Sequence, residues 1–197
     1  MKEQGNIHFC GVGGQGILLA SELTAYALLA AGFDAKKSEV HGMAQRGGSV
    51  EAHLRYGKEK VYSPLIEPGA VDIMLAFEMM EAVRYLPLLN PKSTVIVNTQ
   101  KIPPPVVATG KAPYPDHCLD ELTSRGIKVV EVDGFAIARQ VGNLKTVNVA
   151  LVGVLSRFLP MEEKIWDAVL EKRLPAKIFA VNRQAFQAGR AVVKKKG

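Results

Sequence analysis

An apolar run that passes straight into a glycine loop and then a helix is the feature that most constrains this chain. Ile7–Cys10 is a short apolar stretch, and Gly11, Gly13 and Gly16 follow at G-x-G-x-x-G spacing with Gly14 and Gln15 between them. Ile17–Ala31 then continues as a helix, apolar on nearly all sides, with Glu22 as its one charge and Gly32 as its stop. Strand, tight turn and helix in that order open an α/β fold. Glycines there permit close backbone approach, and free N–H groups at a helix start attract an anion. Two readings of this loop are open: a phosphate- or nucleotide-binding turn, and a purely structural tight turn. A dinucleotide site also wants an acidic residue about 20 positions on. Asp34 comes early for that role and Glu39 late.

The rest of the pattern agrees with the opening. Asp34–Val40 is the expected second strand. Ser49–Tyr56 alternates, with Val50, Ala52, Leu54 and Tyr56 on one face and Ser49, Glu51, His53 and Arg55 on a solvated or interfacial polar face. Gly57-Lys58 is expected to turn this strand into Val61–Ser63 as an antiparallel hairpin. Val71–Ala76, Thr94–Asn98 and Lys128–Val132 are further strands. Helices are expected over Glu78–Tyr85 and over Asp116–Arg125, the second capped by Asp116 and stopped by Gly126. Thr146–Phe158, Met161–Lys172 and Ala176–Val193 complete a helical C-terminal part. The expected architecture is α/β and Rossmann-like: one domain over 1–197, a mainly parallel sheet with a local antiparallel hairpin, and C-terminal helices over about 134–193 packed on it.

A second glycine loop follows the second strand, His41-Gly42-Met43-Ala44-Gln45-Arg46-Gly47-Gly48. Open α/β sheets place ligands at such strand ends. Arg46 suits a carboxylate, a phosphate or a subunit contact, or is a surface arginine beside a turn. His41 is a catalytic candidate or a hydrogen-bonded loop histidine.

Composition removes other classes. Net charge is +6, and Lys194, Lys195 and Lys196 supply half of it; aromatics are 7%. Nucleic-acid binding has little support. No run approaches the ~18 apolar residues of a membrane span, and Met1–Asn6 leads directly into a strand with no apolar leader. Cys10 and Cys118 have neither metal nor disulfide spacing, so a cytoplasmic, reducing compartment is expected. Two distant cysteines cannot hold a cubane cluster. Asp133-Gly134 lacks the surroundings of a thiamine-diphosphate motif, and no Ser/His/Asp, P-loop or zinc signature is present. No metal site is expected, and this chain carries no machinery for complete redox catalysis.

Several motifs together resemble the gamma domain of 2-oxoacid:ferredoxin oxidoreductases. They are Gly11-Val12-Gly13-Gly14-Gln15-Gly16-Ile17, Gln45-Arg46-Gly47-Gly48-Ser49, Tyr62-Ser63-Pro64, Gly142-Asn143 and Asn148 to Gly153. Ser38–Val50, with His41-Gly42, looks like the branch that acts on aryl 2-oxoacids such as indolepyruvate. The resemblance implies a subunit that binds no cofactor alone. A larger alpha subunit would carry thiamine diphosphate and [4Fe–4S] clusters, coenzyme A would take the acyl group, and ferredoxin the electrons. It also implies that His41, Gln45, Arg46, Gly47 and Gly48 line the interface near substrate or coenzyme A, with Ser63, Pro64, Asn143 and Asn148 as structural motif positions. The alternatives from the residues alone are a free-standing NAD(P)- or flavin-binding oxidoreductase using the first loop, and a non-enzymatic assembly or nucleotide-sensing protein.

Overall fold

The computed structural model describes residues 3–41 and 48–193, with the side chain of His41 outside the description. Six strands form one sheet: β1 (Gln4–Val12), β2 (Asp34–His41), β3 (Ser49–Gly57), β4 (Ile73–Ala76), β5 (Thr94–Asn98) and β6 (Lys128–Val132). Their order is β2-β3-β1-β4-β5-β6. β1, β4, β5 and β6 are parallel, whereas β3 runs antiparallel to both of its neighbours, β1 and β2.

This placement corrects the expected hairpin. Val61–Ser63 is not a strand. Both edges of β3 are already hydrogen-bonded, so no ladder is left for that segment to join. It is held by side chains instead: Val61 N–H donates to Asp34 Oδ2 at 2.8 Å, and the Arg55 guanidinium donates to the carbonyls of Ser63 and Leu65 at 3.2 and 3.3 Å.

The period of two in β3 decides which face each side chain takes. Val50, Ala52, Leu54 and Tyr56 join the larger core with Ile7, Phe9, Leu75 and Ile96. Over that core lie α1 (Ile17–Ala30), α5 (Gly134–Val141), α6 (Val147–Leu155), α7 (Glu163–Arg173) and α8 (Ala176–Val192). α1 ends in a Schellman turn: Phe33 N–H reaches Leu28 O, Gly32 N–H reaches Leu29 O, and Gly32 has φ 79°. α6 and α8 pack closely through glycines. A Cβ on Gly153 would lie 2.1 Å from Phe186 O, and one on Gly189 would lie 1.9 Å from Ala150 O.

The other face carries a smaller core of Cys10, Met74, Ala76, Val95 and Val97. α2 (Met79–Arg84) and α4 (Asp120–Ser124) pack there, and α3 (Pro105–Ala108) sits on the connection before α4. α2 is capped by Glu78, whose side chain accepts from Glu81 N. α4 is shorter than expected. Asp116 does not cap it, because its carboxylate is drawn into an ion pair with Lys101; Gly126, at φ 74°, does form the stop.

Candidate functional site

The C-terminal edge of the parallel strands gathers the chemistry. β1 ends at Val12, and the chain then turns through Gly13 to Gly16 into α1. Gly14 and Gly16 have φ 103° and 80°, in the left-handed region that favours glycine. Gly11 and Gly16 also lie against neighbours: an added Cβ would sit 2.7 Å from Gln15 Oε1 at the first and 2.4 Å from Asn148 Nδ2 at the second. Gly13 N–H donates to Gly48 O at 2.8 Å, tying the first glycine loop to the end of the second.

Gln15 fills the inside of the first turn. Its Oε1 accepts from Val12 N–H at 2.7 Å, and its Nε2 donates to Phe77 O at 2.8 Å and Gln100 Oε1 at 2.9 Å. Asn98 extends this chain of amides, donating to Phe77 O at 3.1 Å and accepting from Gly134 N–H at 3.0 Å. Gln15 therefore fills the inside of the turn, while no side chain caps the first N–H groups of α1. The two acidic candidates on β2 stand away from the loop. β3 separates β1 from β2, so Asp34 and Glu39 stand two strand spacings, about 10 Å, from β1. Asp34 binds Val61 N–H and Lys36, and Glu39 pairs with Lys37.

The stem of the second loop is anchored in α2. Ser49 Oγ donates to Glu81 Oε2 at 2.5 Å and lies 3.0 Å from Tyr85 OH, while Glu81 Oε1 accepts from Arg84 Nε at 2.9 Å. Gln45, Arg46 and Gly47 lie outside the described residues, as does the side chain of His41. Gly48 is the described member of that group, and its carbonyl is the one bound by Gly13.

The polar face of β3, expected to be solvated or interfacial, holds a half-buried cluster. His8, on β1, stands directly opposite His53 and is completely buried. Glu51 Oε2 lies 2.9 Å from His8 Nε2 and 3.5 Å from His53 Nε2. Bonding to His53 and His8, in that order, holds the Glu51 carboxyl down at about 2. Burial, opposed by the bond to Glu51, lowers the His8 pKa. His53 Nδ1 accepts from Ile66 N–H at 3.1 Å. The proton of neutral His53 is therefore on Nε2, aimed at the carboxylate. Among the described residues these three form the one group close enough to share a metal ion. A metal-bound imidazole, however, normally donates its second N–H outward. Here His53 Nδ1 faces a donor, and His8 Nδ1 is buried without a partner. The geometry is that of a carboxylate clamped by two imidazole N–H groups.

The remaining motif positions divide. Asn148 joins the glycine loop at Gly16. Ser63 and Pro64 do not; the Ser63 carbonyl is held by Arg55, near the opposite end of β3. Asn143 caps a 3₁₀ turn, its Oδ1 accepting from Lys145 N–H at 3.0 Å. Sequence reasoning missed Gln100, Asn98, Glu81 and the buried role of His8. No local pattern marks them, because each meets its partner only across the sheet.

Residues 6–192 match the family described as pyruvate ferredoxin/flavodoxin oxidoreductase. The chain belongs to this family. Among its relatives, the indolepyruvate oxidoreductase subunit IorB of Thermococcus kodakarensis is 41% identical, covering 96% of this chain and 95% of its own. The subunit of the same name from Archaeoglobus fulgidus is 42% identical over 93% and 92% of the two chains. A solved 2-oxoglutarate:ferredoxin oxidoreductase from Magnetococcus marinus, with 2-oxoglutarate, coenzyme A and succinyl-CoA bound, superimposes with a TM-score of 0.76. That match has 19% identity and covers 98% of this chain and 31% of the other.

This oxidoreductase family chain does not itself fit an iron–sulfur cluster. Its two thiols are free and lie on β1 and before α4, and burial raises the pKa of both, Cys10 most strongly. Four clustered thiolates are needed for a cubane. Asp133 is committed as well, its carboxylate capping α5 through Ala136 N–H at 2.8 Å.

Proposed function

We propose that this chain is the small subunit of an indolepyruvate:ferredoxin oxidoreductase and is inactive alone. The observation that carries this reading is 41% identity to an indolepyruvate oxidoreductase subunit across 96% of the chain. The complete enzyme oxidatively decarboxylates aryl 2-oxoacids. The carboxylate leaves as carbon dioxide, the acyl carbon is oxidised and passes to the thiol of coenzyme A, and the electron pair goes to ferredoxin. A larger alpha subunit holds thiamine diphosphate and the [4Fe–4S] clusters, which supply the carbanion chemistry and the electron path. This chain supplies a rigid edge. In this reading His41, Gln45 and Arg46 belong to the interface near the partner's substrate or coenzyme A, next to the Gly13–Gly48 bond. Arg46 is the charged member, suited to a carboxylate or phosphate.

The test is co-purification of the native complex, followed by reconstitution with Arg46→Ala. A large co-purifying chain with cysteine-rich cluster motifs is expected. The variant should fold normally and lower turnover of indolepyruvate by about tenfold or more, the cost of losing a charge-assisted contact. Unchanged kinetics would remove Arg46 from the site. Recovery of this chain alone would overturn the subunit reading.

A further inference from the structure

The sheet is covered unevenly. On the side of the smaller core, α2 packs on β1, β4 and β5, and α4 packs on β6. The helix packed on β2 and β3 is α1, which lies on the opposite face. Among the described residues no helix packs on the corner where Lys36, Ser38 and Val40 of β2 lie beside Arg55, His53 and Glu51 of β3; the segment at 63–66 crosses it at Arg55 and the buried His53. Val40 stands directly across from Glu51 and is 51% exposed. Leu65, 56% exposed, adjoins this corner, because the carbonyl of Leu65 is held by Arg55 and Ile66 N–H is held by His53.

Charge on this corner is arranged rather than scattered. Arg55 is committed to Asn6 and two backbone carbonyls, and Lys36 to Asp34. Both imidazoles bind Glu51 Oε2, leaving Oε1 with no partner among the described residues. The Glu51 side chain is 19% exposed and opens beside Val40. An acceptor fixed by two packed rings, next to exposed apolar carbon, is preorganised for a planar cationic donor. Arginine combines paired N–H donors with an apolar stem, and such anchors dominate protein interfaces. The same corner runs up to Ser49 and Gly48, so it is continuous with the loop assigned to the shared active site.

We propose that the open β2–β3 face is where the larger oxidoreductase subunit docks, seating an arginine on Glu51 between Val40 and Leu65. This rests on the subunit reading above.

The experiment uses the complex of this chain with its co-purifying large subunit. Three single variants are compared with the parent chain for affinity: Glu51→Gln, Val40→Asp, and a control, Val192→Asp. Val192 is 47% exposed at the end of α8, on the other side of the sheet. Glu51→Gln keeps the shape and the imidazole bonds but removes the charge. Val40→Asp alters an exposed position and leaves the core untouched; denaturant titration checks that all three fold. Both test variants should raise the dissociation constant about tenfold or more, as loss of a desolvated charge pair does. Val192→Asp should not change it, and amides of β2 and β3 should gain hydrogen-exchange protection in the complex. A stable complex indifferent to both test variants overturns the docking face alone. So does weakening by Val192→Asp only, or a homodimer of this chain that Val40→Asp dissociates. Absence of any large subunit overturns the subunit reading and this proposal with it.

Discussion

The amide of Gly13 donates to the carbonyl of Gly48 at 2.8 Å, so the first glycine loop is tied to the residue that leads into β3. The bond continues the β1–β3 ladder one step past the Val12–Ser49 pair. It exists because β3, not β2, lies beside β1. The first loop is therefore anchored at the start of β3, with its interior filled by the Gln15 amide.

Gly16→Ala should be destabilising for two separable reasons. A left-handed backbone costs a residue with a Cβ about 1–2 kcal/mol, and the new methyl would sit 2.4 Å from Asn148 Nδ2. Adding Asn148→Gly should recover the contact share and leave the backbone share. Urea midpoints of the two variants measure the split.

Gln15→Ala leaves Val12 N–H without its partner and Phe77 O with the Asn98 amide alone, and should cost about 1–3 kcal/mol. Gln15→Glu should be worse at pH 8 than at pH 5. Its ionised carboxylate would set an oxygen against Phe77 O, where the amide now donates at 2.8 Å. Equal losses at the two pH values would contradict that arrangement.

Gly153→Ala and Gly189→Ala each force α6 and α8 apart, since the added carbon would meet backbone oxygen at 2.1 and 1.9 Å. Overpacking of this kind costs about 3 kcal/mol, which for a chain of this size lowers the melting temperature by roughly 10 °C. Thermal unfolding followed by circular dichroism checks it.

Glu51 and His8 give stability the same pH sign by different routes. Glu51 is held at about 2, below its ordinary 4.5, so its contribution is full above pH 4.5 and is lost as pH falls toward 2. Burial keeps His8 neutral below its ordinary 6.5, so the unfolded chain takes up a proton first and stability declines as pH falls below 6.5. Glu51→Gln should abolish the lower loss. It should also deepen the upper one, because the Glu51 charge that the variant removes now helps to raise the His8 pKa. Denaturant titrations from pH 8 to pH 3 read both windows.

Much of the fold was legible in short windows. Thr94–Asn98 and Lys128–Val132 are strands over the expected residues, and Gly32 and Gly126 stop their helices. The alternation of β3 correctly assigns Val50, Ala52, Leu54 and Tyr56 to the core. Such features are local: a period of two or a left-handed glycine is set by residues within a few positions of one another. The candidate site was legible only where a motif was contiguous, as in the glycine loop. Gln15 meets Gln100 across 85 positions, and His8 meets Glu51 across 43.

By itself, then, the sequence determined most of the strands and helices, which face of β3 is apolar, and where glycine turns the chain. Only the tertiary structure decided the neighbours. An alternating strand states which side is buried and is silent about which strand lies beside it, because backbone hydrogen bonds carry no residue identity. The insertion of β3 between β2 and β1 therefore could not be read from Ser49–Tyr56, and the expected hairpin with Val61–Ser63 failed for that reason. That one choice of neighbour moved the carboxylates of β2 away from the first loop, joined Gly13 to Gly48, and brought His8 onto Glu51 and His53.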